Sequence, residues 1–464
     1  MIFSSMFFLW IFLPLTFVGY FVVGKKLNNL LLLAVSLFFY AWGEPVYIAL
    51  MLLSIVFNYG MALLLVRFNG QKKAILTADI VINLLLLGYF KYFDFFLSNI
   101  EGILHTDFKL SSVALPIGIS FFTFQALSYV VDVYRGECEA EKNIMVVALY
   151  ISFFPQLIAG PIVKYKDIEA QIKCRSITTD GMAYGIRRFL LGLGKKVILS
   201  NMLAQTVDRI VALDISDVTG ALAWVMAIFY TLQIYYDFSG YSDMAIGLGK
   251  MFGFDIKENF NYPYISKSIQ EFWRRWHISL SSWFKDYLYI PLGGNRCSKK
   301  RTYLNLGIVF FATGLWHGAS WNFVLWGLYH GLFSIIERLG FNKVLKRSNV
   351  LSRVYTMLVV MIGWVFFRIT DLEQAVAYIK RMLLPFAYTM SNYSVRELVD
   401  VRVMLLAVLA IFGSGILQQV FQNTKLARAY KNSKFEMIYC VALAIVCFSL
   451  LASNAYNPFI YFRF

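Results

Sequence analysis

The first 24 residues of the chain, MIFSSMFFLWIFLPLTFVGYFVVG, contain no charged side chain and are followed directly by Lys25 and Lys26. A helix of about 20 apolar residues crosses a bilayer, so this stretch predicts a membrane span. A cleaved signal peptide carries its basic residues before the apolar run, and here the order is reversed. We therefore expect a retained first span, with the two lysines in the cytoplasm and the N-terminus on the extracytoplasmic side.

The rest of the 464-residue chain has the same apolar character, with 59% hydrophobic and only 15% charged residues. A soluble domain has about 25% charged residues, so soluble, disordered and collagen-like structures are excluded. The composition predicts an all-α polytopic membrane protein, a single membrane-embedded domain over 1–464 with roughly eleven or twelve passages. The shorter run 28–43 is tilted, broken or re-entrant. The clear candidate spans are 1–23, 45–66, 74–99, 113–133, 144–163, 218–237, 302–316, 319–336, 354–369, 402–421 and 436–453.

The formal charge of +16 is concentrated in clusters of Lys and Arg between these spans. Basic residues in short loops mark the cytoplasmic side of a membrane protein. We therefore expect the clusters to face the cytoplasm and anionic lipid headgroups, and we expect no nucleic acid as a partner. The clusters are Lys25/Lys26, Arg67/Lys72/Lys73, Arg296/Lys299/Lys300/Arg301, Lys343/Lys346/Arg347 and Lys425/Arg428/Lys431/Lys434.

Two stretches look like helices that lie along the membrane surface. In 181–200 the basic pairs Arg187/Arg188 and Lys195/Lys196 share one helical face opposite apolar residues. The second stretch is 271–290, EFWRRWHISLSSWFKDYLYI. At helical spacing its apolar face is shared by Trp273, His277, Leu280 and Phe284. His277 should therefore be buried despite the neighbouring arginines.

Two other stretches carry helix breakers at membrane depth. YDFSGYSDMAIGLG (236–249) combines Asp237 and Asp243 with a glycine series, which predicts a re-entrant or broken helix. The two carboxylates either line a substrate path or pair with arginines or backbone amides, and we favour pairing. FFPQLIAGPIVKY (153–165) contains two prolines and a glycine, which predicts a kinked helix and not a site.

Histidine is rare in this chain, with four residues in all, and each has a different expected role. His105 lies in a polar loop and should be solvated. His317 lies in GLWHGASWNFVLWGLYHG (314–331), between two apolar runs. A polar side chain at that depth indicates function, and the alternative is a neutral imidazole bonded to a neighbouring helix. His330 is 13 residues further on and points elsewhere, so for it we favour the second interpretation.

The residues around His317 favour a functional role for it over a purely structural one. Gly314, Gly318 and Ala319 flank the histidine and remove side-chain bulk, which makes room for a ligand or for another backbone. Common catalytic motifs are absent from the sequence: GxxxxGK[ST], GxSxG, HExxH and His-x4-Asp. The five cysteines form no CxxC and no metal-type spacing, so we expect inert thiols and no metal site. What remains is histidine in a dry environment, which suits general base catalysis.

Two motifs taken together, WRRWHISLSSWFKDYLYIPLGGNR (273–296) and GLWHGASWNFVLWGLYHG (314–331), resemble the membrane-bound O-acyltransferase family. YDFSGYSDMAIG and FFPQLIAGPI match the family in order and spacing, and DYLYIPLGGNR resembles its bacterial alginate O-acetylation (AlgI-like) branch. The resemblance implies a ring of helices around a thin central partition, with a funnel from the cytoplasm. It also implies that His317 matches the family's near-invariant membrane-embedded histidine and His277 the second histidine of the bacterial branch.

The resemblance further implies an O-acetyltransferase of the bacterial inner membrane that binds no cofactor. It would take acetyl from a cytoplasmic thioester, acetyl-CoA, and pass it outward. An extracytoplasmic SGNH-type acetyltransferase would then place it on a polysaccharide such as alginate. His317 would act as general base or carry the acyl group, and His277 would position donor or acceptor. The other expected substrate- or tunnel-lining residues are Trp273, Trp276, Trp316, Trp321, Asn322, Asp237 and Asp243.

Two alternatives remain open at this point. The first is D-alanyl transfer from a carrier protein to teichoic acid, on the same fold. The second is a glycan or lipid transporter without catalysis, which the glycine-interrupted segment 240–249 favours because transporters also use broken helices. Neither the acceptor polymer nor the choice between a covalent acyl-histidine and a general base follows from the sequence.

Overall fold

The protein is all-helical in the part of the chain that the computed structural model describes, which confirms the predicted all-α class. The described residues are 1–106, 108, 110–158, 160–421, 424, 434–453, 456–458 and 460, and no strand occurs among them. Five helical stretches in this part are long and apolar enough to cross a membrane, as expected of a polytopic protein. They are Ile48–Arg67, Asn69–Leu104, Asn349–Arg368, Val401–Phe421 and Lys434–Ser453.

The chain forms two compact units. The first comprises Met1–Phe189 and Ser242–Lys257, and the second comprises Leu190–Tyr241 and Glu258–Phe464. Helices α10 and α12 contribute residues to both units. The helices of the first unit are α1 Leu13–Val22, α2 Asn28–Gly43, α3 Ile48–Arg67, α4 Lys72–Leu87, α5 Phe93–Leu104, α6 Ile119–Arg135, α7 Ile144–Ser152, α8 Phe154–Leu157, α9 Tyr165–Lys173 and most of α10 Thr179–Gly194.

The second unit contains the histidine motifs. Its helices are α11 Asn201–Val211, most of α12 Gly220–Met251, α13 Ile269–Arg275, α14 Ile278–Phe284, α15 Lys299–His317, α16 Trp321–Ile336, α17 Asn342–Leu345, α18 Asn349–Arg368, α19 Leu372–Leu383, α20 Val395–Leu398, α21 Val401–Ile411, α22 Leu417–Phe421 and α23 Lys434–Ser453. Short π-helical turns continue several of them, as at Lys195–Ser200 between α10 and α11.

The prediction of a re-entrant or broken helix at 236–249 is wrong, because α12 runs without interruption for 32 residues. Its glycines serve close packing instead. In the first unit, a Cβ added at Gly247 would lie 2.6 Å from the carbonyl oxygen of Gly185. In the second unit, a Cβ added at Gly240 would lie 2.8 Å from the carbonyl oxygen of Gly192. These glycines let two helix backbones touch.

The candidate span 144–163 is not one kinked helix. It consists of α7, a break at Phe153, the single turn α8 and a non-helical stretch that ends at Lys164, in the part of this segment that is described. Proline at the start of α8 and the Gly-Pro step at 160–161 account for this, because proline cannot donate the helical hydrogen bond and disfavours helix in the preceding residue.

The predicted surface helix over 181–200 is wrong for one of its basic residues. α10 passes into a π-helical turn at Lys195, and Lys196 is only 1% exposed. Its ammonium group pairs with the carboxylate of Asp237, whose side chain is also 1% exposed. Helical spacing predicts a face, but it cannot tell whether that face meets solvent or the protein interior.

The continuous helix predicted over 271–290 is also wrong, because the chain breaks at His277. α13 ends at Arg275, and His277 has left-handed backbone angles, φ 45° and ψ 55°, before α14 begins. In a continuous helix the amide of Ile278 would donate to Arg274, but here it donates to the carbonyl oxygen of Asn259 at 3.0 Å. The predicted burial of His277 is confirmed, since the residue is 0% exposed.

Candidate active site

His277 is held by a small hydrogen-bond network with Asn259. The side-chain oxygen of Asn259 accepts from the backbone amide of Ser279 at 3.1 Å and from its hydroxyl at 2.9 Å. The ring atom Nδ1 of His277 lies 3.2 Å from the same oxygen. Because that oxygen is an acceptor, the tautomer that bonds to it carries the proton on Nδ1 and has the lone pair of the neutral ring on Nε2. Burial lowers the pKa of His277, which keeps the imidazole neutral at neutral pH.

His317 is the last residue of α15 and is 2% exposed. Its ring is enclosed by aromatic side chains, with centroid distances of 5.0 Å to Trp316, 4.9 Å to Trp326 and 5.2 Å to Phe367. The helix ends immediately after it, because Gly318 has an extended backbone with φ −173°. His317 therefore projects from a helix terminus into an environment that excludes water.

The structure brings the two predicted catalytic histidines together. Their ring centroids lie 6.5 Å apart, although the residues are 40 positions apart in the sequence. Trp316 contacts both rings, at 6.1 Å from His277 and 5.0 Å from His317. Phe238 packs edge-on against His277 at 4.6 Å. Two imidazoles in one aromatic enclosure are suited to moving a proton and orienting a reactant where water is scarce.

Two glycines next to His317 make room for Phe323 of α16. A Cβ added at Gly314 would lie 2.4 Å from the carbonyl oxygen of Phe323 on α16, and one at Gly318 would lie 2.2 Å from the Phe323 ring. The space at Gly314 is thus filled by a backbone and that at Gly318 by a side-chain ring, both from α16. The glycines bring α15 and α16 into direct contact and so fix the turn that carries His317.

The four predicted tunnel tryptophans occupy different environments. Trp316 is 4% exposed and contacts both histidines. Trp276 is 1% exposed and packs on Phe272 and other rings. Trp273 contacts Trp326, and Trp321 is 54% exposed. The structure thus places Trp316 against both His277 and His317.

The predicted polar residues have partners of their own. Asn322 donates its amide to the carbonyl oxygen of Ile369. Asp237 belongs to the second unit, whereas Asp243 belongs to the first, where it pairs with Arg188 at 2.7 Å. Asn322, Asp237 and Asp243 each therefore have a polar partner within their own unit.

Residues 140–372 match the membrane-bound O-acyltransferase family. A protein of Azotobacter vinelandii named probable alginate O-acetylase AlgI is 40% identical over 100% of both chains. A peptidoglycan O-acetyltransferase of Helicobacter pylori is 37% identical over 82% of this chain and 80% of its own. A teichoic acid D-alanyltransferase of Bacillus subtilis is 29% identical over 47% of this chain and 57% of its own.

The chain belongs to the membrane-bound O-acyltransferase family. It is therefore an acyltransferase, and the resemblance to the alginate O-acetylation branch is confirmed. The family match includes His277 and His317 together with the elements that hold them, from α12 to the end of α18.

Several residues of this acyltransferase site were not singled out from the sequence. Asn259 orients His277, and Phe238, Trp326 and Phe367 complete the aromatic enclosure. Trp326 lies inside the quoted motif 314–331, so its position was a usable signal. Asn259 carries no such signal, because only the fold brings it to His277. In the described residues, no three His, Cys, Asp or Glu side chains gather as metal ligands.

Proposed function

We propose that this acyltransferase moves an acetyl group from a cytoplasmic thioester, acetyl-CoA, across the membrane for O-acetylation of an exported polysaccharide such as alginate. The observation that carries the proposal is the pair of histidines in one aromatic enclosure. The relative named alginate O-acetylase, 40% identical over the whole chain, supports the acetyl group and the class of acceptor. An extracytoplasmic SGNH-type acetyltransferase is the proposed receiver that completes the transfer to the glycan.

The proposed chemistry assigns separate tasks to the two rings. His317 removes the proton of the accepting hydroxyl while its oxygen bonds to the thioester carbonyl carbon. The carbon–sulfur bond then breaks, and the proton passes from His317 to the leaving thiolate. His277, anchored through Nδ1 to Asn259, uses its Nε2 lone pair to orient the donor or the acceptor. In the covalent variant, His317 itself carries the acetyl group between the two steps.

A dry enclosure is essential to this reaction, because a thioester that meets water is hydrolysed. His277 and His317 are 0% and 2% exposed, and rings cover both. Loss of a general base alone typically lowers a rate by about 10²–10⁴. A larger loss on removal of His317 would favour the covalent variant.

Donor preference tests the assignment. Membranes that contain the protein are supplied either with acetyl-CoA labelled in the acetyl group or with a D-alanyl carrier protein. We expect thiol release and labelled polysaccharide from acetyl-CoA alone. Transfer only from the D-alanyl carrier would support the teichoic acid alternative, which the Bacillus subtilis relative represents over 47% of this chain. Ligand movement without thiol release would support a transporter.

We further propose eleven or twelve passages arranged as a ring around a thin partition, in the bacterial inner membrane, with the N-terminus outside. The basic loops support this orientation through the positive-inside rule. Labelling of single cysteines from either side tests it, and labelling from outside near Lys299 would contradict it. Of the last basic cluster, Lys425, Arg428 and Lys431 lie outside the described residues, whereas Lys434 begins α23.

A further inference from the structure

His330 is a buried imidazole that the proposed reaction does not use. It lies on α16, is 0% exposed and packs against two tryptophans. The ring centroids of Trp273, Trp326 and His330 form a triangle with sides of 5.2, 5.3 and 5.5 Å. Ser334 follows His330 one helical turn later and is 3% exposed. We call Trp273, Trp326, His330 and Ser334 the α16 polar cluster.

The polar atoms of this cluster have no hydrogen-bond partner within the described part of the chain. They are Nε1 of Trp273, Nε1 of Trp326, both ring nitrogens of His330 and Oγ of Ser334. The sequence had favoured a hydrogen bond from His330 to a neighbouring helix, and the described residues contain none. Buried polar groups in proteins are nearly always paired, so five such atoms on four adjacent side chains require an explanation. Packing alone would be served better by phenylalanine.

The donor and acceptor inventory of the cluster suits a hydroxyl group. Each indole offers one N–H donor, and a neutral imidazole offers one N–H and one lone pair. A hydroxyl oxygen accepts two hydrogen bonds and donates one. A bound alcohol could therefore accept hydrogen bonds from the two indole N–H groups and donate its own proton to the imidazole lone pair. Ser334 adds a hydroxyl that can either donate or accept.

The cluster is adjacent to the candidate base. The ring centroid of Trp326 lies 5.3 Å from that of His330 and 4.9 Å from that of His317. We propose that the α16 polar cluster is a subsite for the hydroxyl of the acyl acceptor, one indole away from His317. This inference rests on the proposed function, because it supplies the alcohol that His317 would deprotonate.

Ligand entry requires one ring of the cluster to turn, since the rings pack directly on one another. The unpaired groups make the packed arrangement less favourable than a fully bonded core, so a hydroxyl that satisfies them favours the open arrangement. Gly363 on α18 lies beside the imidazole, and a Cβ added there would lie 2.6 Å from Nε2 of His330. Gly363→Ala would therefore displace the ring without removing any polar group of the cluster.

Three variants and three measurements test the subsite. The variants are His330→Phe, Trp326→Phe and Gly363→Ala. The measurements are acetyl groups on the exported glycan, thiol release from acetyl-CoA by the same membranes, and the thermal unfolding midpoint in detergent. We expect glycan acetylation to fall about tenfold in each variant, the change typical of one lost hydrogen bond. The ratio of acetylation to thiol release should fall as well.

Stability distinguishes this role from a structural one. His330→Phe should unfold no lower than the wild type, because it removes two unpaired nitrogens from the core. Tyr329→Phe is the matched control, since the Tyr329 hydroxyl donates to Val359 at 3.1 Å and is satisfied. That variant should lower the unfolding midpoint slightly and leave the ratio of acetylation to thiol release unchanged.

Three results would overturn the subsite. Parallel losses of stability and acetylation in His330→Phe and Trp326→Phe would make the cluster structural. Unchanged acetylation in both would remove it from the reaction. A fall in thiol release with normal acetylation would mean that the cluster binds water and not the acceptor. If wild-type protein shows neither thiol release nor acetylation, the proposed function itself fails.

Discussion

Asp237 and His330 are both buried in the second unit, and they differ in how their polar atoms are satisfied. One carboxylate oxygen of Asp237 meets the ammonium of Lys196 and the hydroxyl of Ser200, and the other accepts from the amide of Ile460 at 3.1 Å. His330 has no partner for either nitrogen in the described residues. The carboxylate thus connects α12 to two other segments through an ion pair and hydrogen bonds, whereas the imidazole makes no hydrogen bond within the described residues. Burial alone therefore does not distinguish a structural polar residue from one available to a ligand.

Among the buried polar residues, His317 should cause the largest loss of glycan acetylation when it is removed, because it is the proposed base. His317→Ala should lower glycan acetylation by about 10²–10⁴ while the protein still inserts and folds. Folding should survive because a single imidazole contributes only about 1 kcal/mol of net hydrogen bonding. The measurement is acetylation of the exported glycan at matched membrane levels. His105→Ala, at an exposed histidine, is the control and should be silent. Normal acetylation in His317→Ala would make the residue structural.

Removal of the Asp237 side chain should mainly lower the stability of the protein, whereas removal of His317 should mainly lower acetylation. Asp237→Ala leaves the buried ammonium of Lys196 without its carboxylate, which should cost about 3–5 kcal/mol. The loss of acetylation should then follow the loss of folded protein in the membrane. The double variant Lys196→Met/Asp237→Leu removes both charges and should recover most of the folded protein. If it does not, the pair has a role beyond holding the structure.

Substitution of His277 should lower both acetylation and stability, each by a smaller amount. The residue makes a structural hydrogen bond to Asn259 and also has a proposed role in orienting a substrate. His277→Ala should lower acetylation more than His277→Gln does, by about tenfold, since an amide can still donate one hydrogen bond to Asn259. Acetylation is compared at equal membrane levels of the two variants. Full activity in His277→Ala would remove the residue from the mechanism.

Substitution of Trp321 should change stability least among the predicted tunnel residues. The side chain is 54% exposed, so Trp321→Ala should change stability by no more than about 0.5 kcal/mol. Trp316→Ala, which removes the ring shared by His277 and His317, is the informative comparison. Equal losses of acetylation in the two variants would show that Trp321 meets substrate through its exposed face.

The sequence predicted which two histidines lie together better than it predicted the local structure around them. The motifs 273–296 and 314–331 identified His277 and His317 as a pair, and the structure places them 6.5 Å apart. The continuous helix predicted around His277 is interrupted at that residue, where the amide of Ile278 donates a hydrogen bond to the carbonyl oxygen of Asn259. No periodicity in 271–290 could reveal a partner that lies outside that segment.

Glycine was the main source of error in predicting the fold. The glycine series at 236–249 predicts a broken helix, but Gly240 and Gly247 lie within the continuous α12 and serve backbone contacts. At 153–165 the opposite occurred, since proline and glycine ended a helix that was expected only to kink. Sequence shows where a side chain is missing, but the neighbour that fills the space is known only from the fold.

The contact between α15 and α16 has a consequence for the mobility of the site. Backbone meets backbone there, since added Cβ atoms at Gly314 and Gly327 would lie 2.4 Å and 2.3 Å from the carbonyl oxygens of Phe323 and Phe310. Side chains adjust by changing rotamer, but two backbones in contact can only separate together. Amide protons around Gly314 should therefore exchange with deuterium only when the helix pair parts as a unit, and His317 should be among the least mobile residues of the protein.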